Sequence, residues 1–422
     1  MFRVALHTLG CKVNQYETEK MAEDFLANDF ELVDFHDQAD VYVINSCTVT
    51  QTADSKSRRA VRSAAQRNPQ AAVILTGCFA ETTSEKIDGV AEIIGNREKN
   101  RLVERAITLL QSSGISPTLS SPAPETLTTG PLTRTRSLLK IQDGCDQFCA
   151  YCAVPLARPD MWSKPFEEVI QEANQVADKG YKEIVLVGIR LGRYEANGRN
   201  LTDLLEGLAN VNGISRIRLS SIELTDIPEG LTELIASEEK VCRHLHIPLQ
   251  SGDDEMLSRM NRPYTSSDFL SFVAQVREAV PDIGITTDIM VGFPGETSEQ
   301  FENTCLCAQK AQFSRAHIFR YSPRPGTASA SLPDDVSPAE KERRSENLTR
   351  ITREDAHRFA SRLLGKEVSI LVEGKEFRPG ELSGLTDNYI RVFFEADRQL
   401  TGSIVKVRIE SVTEGHPRGI VV

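Results

Sequence analysis

No stretch of the sequence approaches the roughly 18 consecutive apolar residues that a membrane-spanning helix needs. Nor does the amino terminus, Met1-Phe2-Arg3-Val4-Ala5-Leu6-His7, carry the long apolar region and small-residue cleavage site of a secretory signal. A cytoplasmic protein with no membrane partner is expected. No P-loop, zinc-protease helix or hydrolase elbow is present. Positive charge is in deficit as well, with 49 Lys and Arg against 60 Asp and Glu and a formal net charge of -11. Taken alone, that balance argues against a polyanionic partner, because phosphate contacts call for Lys and Arg. Two local clusters depart from the average: Lys56, Arg58, Arg59, Arg62 and Arg67, and then Lys341, Arg343, Arg344, Arg350, Arg353, Arg358 and Arg362. Both lie on segments of helical character, where such runs form either solvated faces or an RNA-binding surface.

A chain of 422 residues exceeds the size at which one hydrophobic core stops growing, so two or three domains are expected. Hydrophobic periodicity disappears from Ser112 to Thr135, where Ser, Thr, Pro and Gly dominate, and 112–135 reads as a linker. Before it, in 1–111, apolar runs at Val4 to Leu9, Asp40 to Asn45 and Ala72 to Thr76 each end at a turn and lead into a helical pattern, a βαβαβ order. After it, 136–363 alternates strands and helices, and an α/β parallel barrel, whole or partial, is expected with its site at the carboxyl ends of the strands. The remainder, 364–422, has short alternating strands and reads as a small β-barrel. Within it, the period of two over Tyr389 to Phe394 puts Tyr389, Arg391 and Phe393 on one face. That face either stacks on and neutralises RNA or completes the barrel core.

Nine cysteines in a reducing compartment point to metal or catalytic roles rather than disulfides. Cys145-Asp-Gln-Phe-Cys149-Ala-Tyr-Cys152 follows the first barrel strand. Three thiolates so close in sequence can wrap one cubane cluster and leave its fourth iron open to a small molecule, where a fully ligated cluster uses four. A zinc site or unrelated thiols are the alternatives. Cys11, Cys47 and Cys78 lie far apart, yet each sits just beyond a predicted strand. A parallel sheet gathers them at one edge, where open α/β sheets place their ligands. Cys242, Cys305 and Cys307 read as small core residues. His244 and His246 share a strand face, where they serve structure or contact a substrate.

These residues together resemble the methylthiotransferase family of radical S-adenosylmethionine enzymes, whose amino-terminal domain carries the Cys11, Cys47 and Cys78 pattern, whose central domain carries the Cys145, Cys149 and Cys152 loop, and whose carboxyl-terminal barrel is called TRAM. The match spans nearly the whole chain. The stretches 8–18, 219–223, 244–252 and 287–296 resemble the branch that converts N6-threonylcarbamoyladenosine, immediately 3′ of the tRNA anticodon, to its 2-methylthio derivative. The resemblance implies two 4Fe-4S clusters and S-adenosylmethionine as cofactors, with tRNA and a low-potential electron donor as partners. By it, the catalytic cluster on Cys145, Cys149 and Cys152 cleaves S-adenosylmethionine to a 5′-deoxyadenosyl radical, and the cluster on Cys11, Cys47 and Cys78 holds the sulfur. Such chemistry suits an unactivated C-H that no acid or base readily opens. Gly188, Ser220, Ser221 and Gln250, at strand ends or in family motifs, either line the cofactor pocket or finish the strands.

The sequence departs from the family after the cluster loop. Pro159 stands where the family has Gly, Lys164 where it has Arg, and Arg190 where Asn is common. Proline fixes φ near about -65° and has no N-H, so a glycine-specific turn is not reproduced there. Rival readings are methylthiolation of a ribosomal-protein aspartate with the same clusters, and a non-catalytic iron-sulfur protein that binds RNA and senses redox state.

Overall fold

A computed structural model describes residues 1–112, 114, 134–378, 380–413 and 415–422. All but the two ends of the expected linker lies outside them. The chain divides into two compact units, one of Met1–Arg134, Gly144–Met161 and Ser322–Ala330, the other of Thr135–Asp143, Trp162–Tyr321 and Ser331–Val422.

In the first unit, strands β1 (Phe2–Thr8), β2 (Phe30–Val33), β3 (Val41–Ser46), β4 (Ala72–Gly77) and β5 (Glu92–Ile94) form a parallel sheet in the order β2-β1-β3-β4-β5. This is a doubly wound sheet whose order reverses at β1 and β3, the point where such folds bind ligands. Strands β3 and β4 are buried along their whole length, as central parallel strands covered on both faces must be. Alternate residues serve opposite cores. Val41, Val43 and Ile74 pack with Met21 and Phe25 of helix α1 (Lys12–Ala27), while Tyr42, Ile44 and Leu75 pack with Val61 and Ala64 of helix α2 (Gln51–Arg67).

In the second unit, parallel strands β6 (Ser137–Lys140), β7 (Glu183–Val187) and β8 (Arg216–Leu219) form one sheet. Strands β9 (His244–His246), β10 (Gly284–Val291) and β11 (Arg315–Arg320) form another. Parallel bridges Ile217↔Val241 and Ser221↔His246 join the two. The result is a six-stranded parallel array in sequence order, and among the described residues no pairing links β6 to β11, so the barrel is partial. Leu186, Ile217, Leu245 and Ile285 pack outward on Leu204, Phe269 and Phe301 of the surrounding helices. No described helix is long and apolar enough to cross a membrane.

Helix α3 (Pro338–Ser361) carries the second basic cluster, and most of that charge is paired within the fold. Arg344 meets Glu296 at 2.6 Å, Arg343 meets Glu340 at 2.7 Å, Arg350 meets Glu354 at 2.9 Å, and Lys341 meets Asp334 at 2.5 Å.

The carboxyl-terminal strands β12 (Glu367–Arg378), β13 (Glu381–Leu385), β14 (Arg391–Glu395), β15 (Ile404–Thr413) and β16 (His416–Val421) close into a barrel in the order β12-β13-β14-β16-β15. Ile370, Val372, Leu382, Val392, Phe394 and Val407 fill it. Its 385–389 segment docks at the amino-terminal ends of β8, β9 and β10. Arg216 donates to the carbonyls of Leu385 at 2.9 Å and Ser369 at 2.6 Å, and Arg218 to those of Asp387 at 2.7 Å and Thr386 at 3.0 Å. Glu183 accepts from the Arg218 Nε at 2.7 Å. Burial raises the Glu183 carboxyl, yet Arg218, Arg136 and Arg216 together hold it below its ordinary range.

Tyr389 corrects the expectation of a single aromatic and basic strand face. It precedes β14, in a turn with φ of 70°, and its ring stacks on His244 with centroids 4.4 Å apart. The alternation began two residues too early because Tyr389 and Ile390 are β-formers by composition, whereas Asp387-Asn388 starts a turn that extends through them.

Candidate functional site

Each of the three dispersed cysteines is delivered by a strand end. Cys11 caps the start of α1 and makes no capping bond with its side chain. Cys47 follows β3 directly, and Cys78 follows β4. Since β1, β3 and β4 are adjacent and parallel, the three lie on one edge of the sheet at the point of order reversal. Gly10 and Gly77, with φ of 97° and 93°, turn the chain there. A Cβ on Gly10 would stand 2.7 Å from the Cys47 Sγ, and one on Gly77 would collide with the Ser46 carbonyl, so both positions need glycine. Burial, with smaller contributions from Cys78 and Cys11, pushes the Cys47 thiol up to about 11. The Cys11 thiol is raised by its own desolvation, although the residue as a whole is exposed, and by Cys78, while Arg158 opposes the rise. Cys11 and Cys47 thus resist ionising, a cost that a cationic centre would relieve. Among the described residues no group of three acidic, His or Cys side chains is placed to hold a single metal ion. That geometry concerns one ion, whose thiolates crowd to roughly 3.8 Å from each other at tetrahedral zinc; a cubane distributes them over different irons.

The Cys145, Cys149 and Cys152 loop belongs to the same unit as that sheet. It is folded by its own backbone: Cys145 N-H donates to the Arg158 carbonyl at 3.0 Å, and Cys152 N-H to that of Cys149 at 3.0 Å. The Val154 N-H points at the Cys152 Sγ at 3.4 Å, a bond that favours the thiolate. The loop is anchored by side chains unremarked in the sequence. Arg158, 4% exposed, donates to both carboxylate oxygens of Glu17 and to the Asn14 Oδ1, while Asn96 donates to the Ala157 carbonyl at 2.8 Å. Lys99 also donates to Glu17. Asn14, Glu17 and Thr18 follow Cys11 at helical spacing on an otherwise core-forming helix, and that pattern of polar residues where apolar ones are due was the available signal.

At the carboxyl ends of the barrel strands, Gly188 follows β7, and an added Cβ would come within 3.1 Å of the Gln142 side chain. Ser220 and Ser221 follow β8. The Ser220 Oγ is buried and has no hydrogen-bond partner among the described residues. Gln250 holds φ of 65°, and its N-H donates to the Asp288 carbonyl at 2.9 Å. The departures Lys164 and Arg190 have partners: Lys164 meets Glu172, and Arg190 grips Asp226 with contacts of 2.8 Å and 2.5 Å. Sequence reasoning missed Asp288, which meets His246 and His317 at 3.4 Å each. Burial raises its carboxyl, but those histidines outweigh burial and hold it well below the usual range.

In the small barrel, Phe393 packs edge-on against Phe377 at 4.8 Å and His416 at 5.5 Å, with the Arg418 guanidinium over its ring at 5.3 Å. Arg391 pairs with Glu373 at 2.5 Å and lies 6.0 Å from the Phe377 ring. Arg391 and Phe393 thus share a region, and Tyr389 lies apart from it.

A Cys-x3-Cys-x2-Cys run in a chain that also holds a partial parallel barrel marks radical S-adenosylmethionine enzymes, and the chain is an enzyme of that class. Profiles of the Uncharacterized protein family UPF0004, the Radical SAM superfamily and the TRAM domain match residues 3–94, 139–308 and 361–422. The chain is 39% identical over 432 residues to Threonylcarbamoyladenosine tRNA methylthiotransferase MtaB of Bacillus subtilis (strain 168), covering 99% of this chain and 95% of that one. It is 38% identical to the MtaB of Thermotoga maritima over 98% of this chain and 96% of that one. With the tRNA-2-methylthio-N(6)-dimethylallyladenosine synthase of Endomicrobium trichonymphae it shares 31% identity over 96% of each. The radical S-adenosylmethionine methyltransferase TsrM from Kitasatospora setae superposes with a TM-score of 0.59 at 15% identity, over 78% of this chain and 75% of that one, a likeness of fold. The chain belongs to the methylthiotransferase family of radical S-adenosylmethionine enzymes.

Proposed function

We propose that this chain inserts a methylthio group at carbon 2 of N6-threonylcarbamoyladenosine, 3′ of the anticodon of a tRNA, acting in the cytoplasm with a low-potential electron donor. The observation that carries the reading is the presence of two three-cysteine sets in one compact unit, in a chain whose relatives at 35% to 39% identity are MtaB tRNA methylthiotransferases. Two sets answer the two halves of the chemistry, since one must open a C-H bond and the other must hold a sulfur. Nothing comparable supports a ribosomal-protein substrate or a purely sensing role.

In this reading Cys145, Cys149 and Cys152 hold one 4Fe-4S cluster, and Cys11, Cys47 and Cys78 hold a second. The donor sets fit: three thiols each, on glycine-lined turns or on a loop where the Val154 amide faces the Cys152 sulfur. When bound, these groups and S-adenosylmethionine supply the radical and the methylated sulfur. The protein's own part is to bind and orient. The buried, unpartnered Ser220 hydroxyl, with Ser221, Gly188 and Gln250, lines the cofactor end of the barrel and offers it a hydrogen bond. The exposed Phe377 ring, beside Arg391 and Arg418, receives RNA on the small barrel by stacking and charge, and the buried Phe393 supports it from beneath. The deciding experiment is mass spectrometry of tRNA nucleosides from cells with and without the gene, read beside ribosomal-protein peptides. Loss of the 2-methylthio nucleoside is expected; an unchanged nucleoside profile with an altered peptide would overturn the substrate.

A further inference from the structure

The segment 322–330 follows β11 in sequence, yet it belongs to the first compact unit, together with both cysteine sets. The proposed function gives it no part. Arg324-Pro325-Gly326-Thr327 puts proline and glycine at the two central places of a type II turn, where the first position wants a fixed negative φ and the second a positive one. The turn forms as that pattern dictates. The Thr327 N-H donates to the Arg324 carbonyl at 3.2 Å, the Thr327 hydroxyl donates to the same carbonyl at 2.7 Å, and Gly326 holds φ of 80°.

Each side of the turn reaches one of the cysteine sets. On one side Arg324, 3% exposed, donates through Nη2 to the Thr48 hydroxyl at 2.7 Å and to the Asp54 carboxylate. Thr48 is the residue after Cys47, and Asp54 lies in the first turn of α2. On the other side the Ser329 N-H donates at 2.8 Å to the carbonyl of Ala150, which stands between Cys149 and Cys152. Just beyond that loop, Leu156 lies so close to the turn that a Cβ on Gly326 would come within 2.9 Å of its Cδ1. A buried ion pair backed by a hydrogen bond is a firm tie, because breaking it leaves a buried charge uncompensated. One short segment is thus fastened to the chain beside Cys47 and to the chain between Cys149 and Cys152.

We infer that 322–330 is a strap that sets the separation of the two cysteine sets, and that Arg324 is the positioning residue that holds its Cys47 end. The inference rests on the proposed reading, in which the two sets hold clusters with different tasks. Cleavage of S-adenosylmethionine draws on the Cys145, Cys149 and Cys152 set alone, whereas sulfur insertion draws on both sets at once. Reacting groups displaced by about 1 Å lose about 100-fold in rate. A slack strap therefore spares cleavage and spoils insertion.

The test compares the full-length, anaerobically reconstituted parent with Arg324→Ala, Arg324→Lys and Thr48→Val by two readouts. The first is the amount of 5′-deoxyadenosine formed per methylthiolated base in one reaction with S-adenosylmethionine, dithionite and tRNA. The second is the spin-spin interaction between the two reduced clusters in electron paramagnetic resonance, which reads their separation without turnover. Arg324→Ala is expected to keep the iron content of the parent, to raise the ratio at least about tenfold and to broaden the spread of cluster separations. Arg324→Lys keeps a cation beside Asp54 and should bring both readouts most of the way back. Thr48→Val removes one acceptor of Arg324 and should move both readouts in the same direction by less; it decides the matter should Arg324→Ala fail to fold or to take up iron. General loosening would lower cleavage and insertion together and leave the ratio where it was. A ratio equal to that of the parent, or a raised ratio with an unchanged spin-spin interaction, would overturn the strap while leaving the two clusters in place. A parent that takes up iron for only one cluster would instead remove the proposed reading, and the inference with it.

Discussion

The guanidinium of Arg158 grips both carboxylate oxygens of Glu17 at 2.8 Å, across a sequence separation of 141 residues. The pair ties the last residues of the cluster loop to the helix that begins at Cys11. Arg158→Ala leaves Glu17 short of a partner in a buried setting, and breaking such a pair costs about 3 to 5 kcal/mol. A matching drop in the stability of the iron-free protein to urea is expected. Arg158→Lys, which offers a point charge in place of the two-pronged contact, should recover part of it. Urea midpoints equal to the parent in both variants would show that the pair contributes nothing.

The two cysteine sets are expected to separate by function. Anaerobically reconstituted protein should bind about eight irons in two clusters, and about four after Cys11, Cys47 and Cys78 are changed to Ala. Cys149→Ala should make no 5′-deoxyadenosine and no product. Cys47→Ala should still make 5′-deoxyadenosine from S-adenosylmethionine with dithionite and tRNA, yet leave the base unmodified. Both products are measured in one reaction, and methylthiolated base from Cys47→Ala at the parent rate would remove the sulfur role.

RNA affinity is expected to follow the Phe377, Arg391 and Phe393 region rather than Tyr389. Each phosphate contact with single-stranded RNA contributes a slope of about 0.7 in a log-log plot of affinity against salt. Arg391→Ala should reduce both affinity and slope, and Phe377→Ala should weaken binding by about 1 to 3 kcal/mol with little change of slope. Tyr389→Ala should lower thermal stability, because its ring rests on His244, and should spare tRNA affinity. A fluorescence titration at several salt concentrations distinguishes these outcomes.

Glu19 gives the first unit a pH dependence opposite to that of a typical paired carboxylate. Burial pushes its carboxyl up to about 7 from 4.5, with Arg134 opposing. Between about pH 4.5 and 7 the folded chain therefore holds a proton that the unfolded chain releases, so stability is greatest at the acid end of this window and falls as pH rises through it. The contribution is on the order of 1 to 3 kcal/mol. Glu19→Gln should flatten this part of the profile, measured by thermal unfolding from pH 5 to 8, and a slope that survives the substitution would assign it elsewhere.

The order of the parallel strands and the common edge of Cys11, Cys47 and Cys78 were legible because each of these thiols lies just beyond an apolar run, and a parallel sheet converts that sequence position into a common edge. The short strands β2 and β5, of 4 and 3 residues, gave no comparable period and went unread. The array of Glu17, Lys99 and Arg158 was illegible for a different reason. Its members come from three distant segments, and only the fold shows that a lysine in a charged stretch is buried rather than solvated. Tyr389 was misplaced by a local pattern that a turn and a ring contact from another domain override.

The docking of the 385–389 segment on Arg216 and Arg218 bears on how the small barrel can be probed. Arg218 and Glu183 are 1% and 0% exposed, and the carbonyls that Arg218 grips belong to that segment. Shortening the chain at the start of the barrel would uncover this charged pair together with the amino ends of β8 to β10, and invite aggregation before any loss of tRNA binding could be measured. Exchanging the barrel between relatives would carry the same hazard unless the docking loop travelled with its acceptor arginines. Surface substitutions therefore report on RNA recognition, whereas deletions report on solubility.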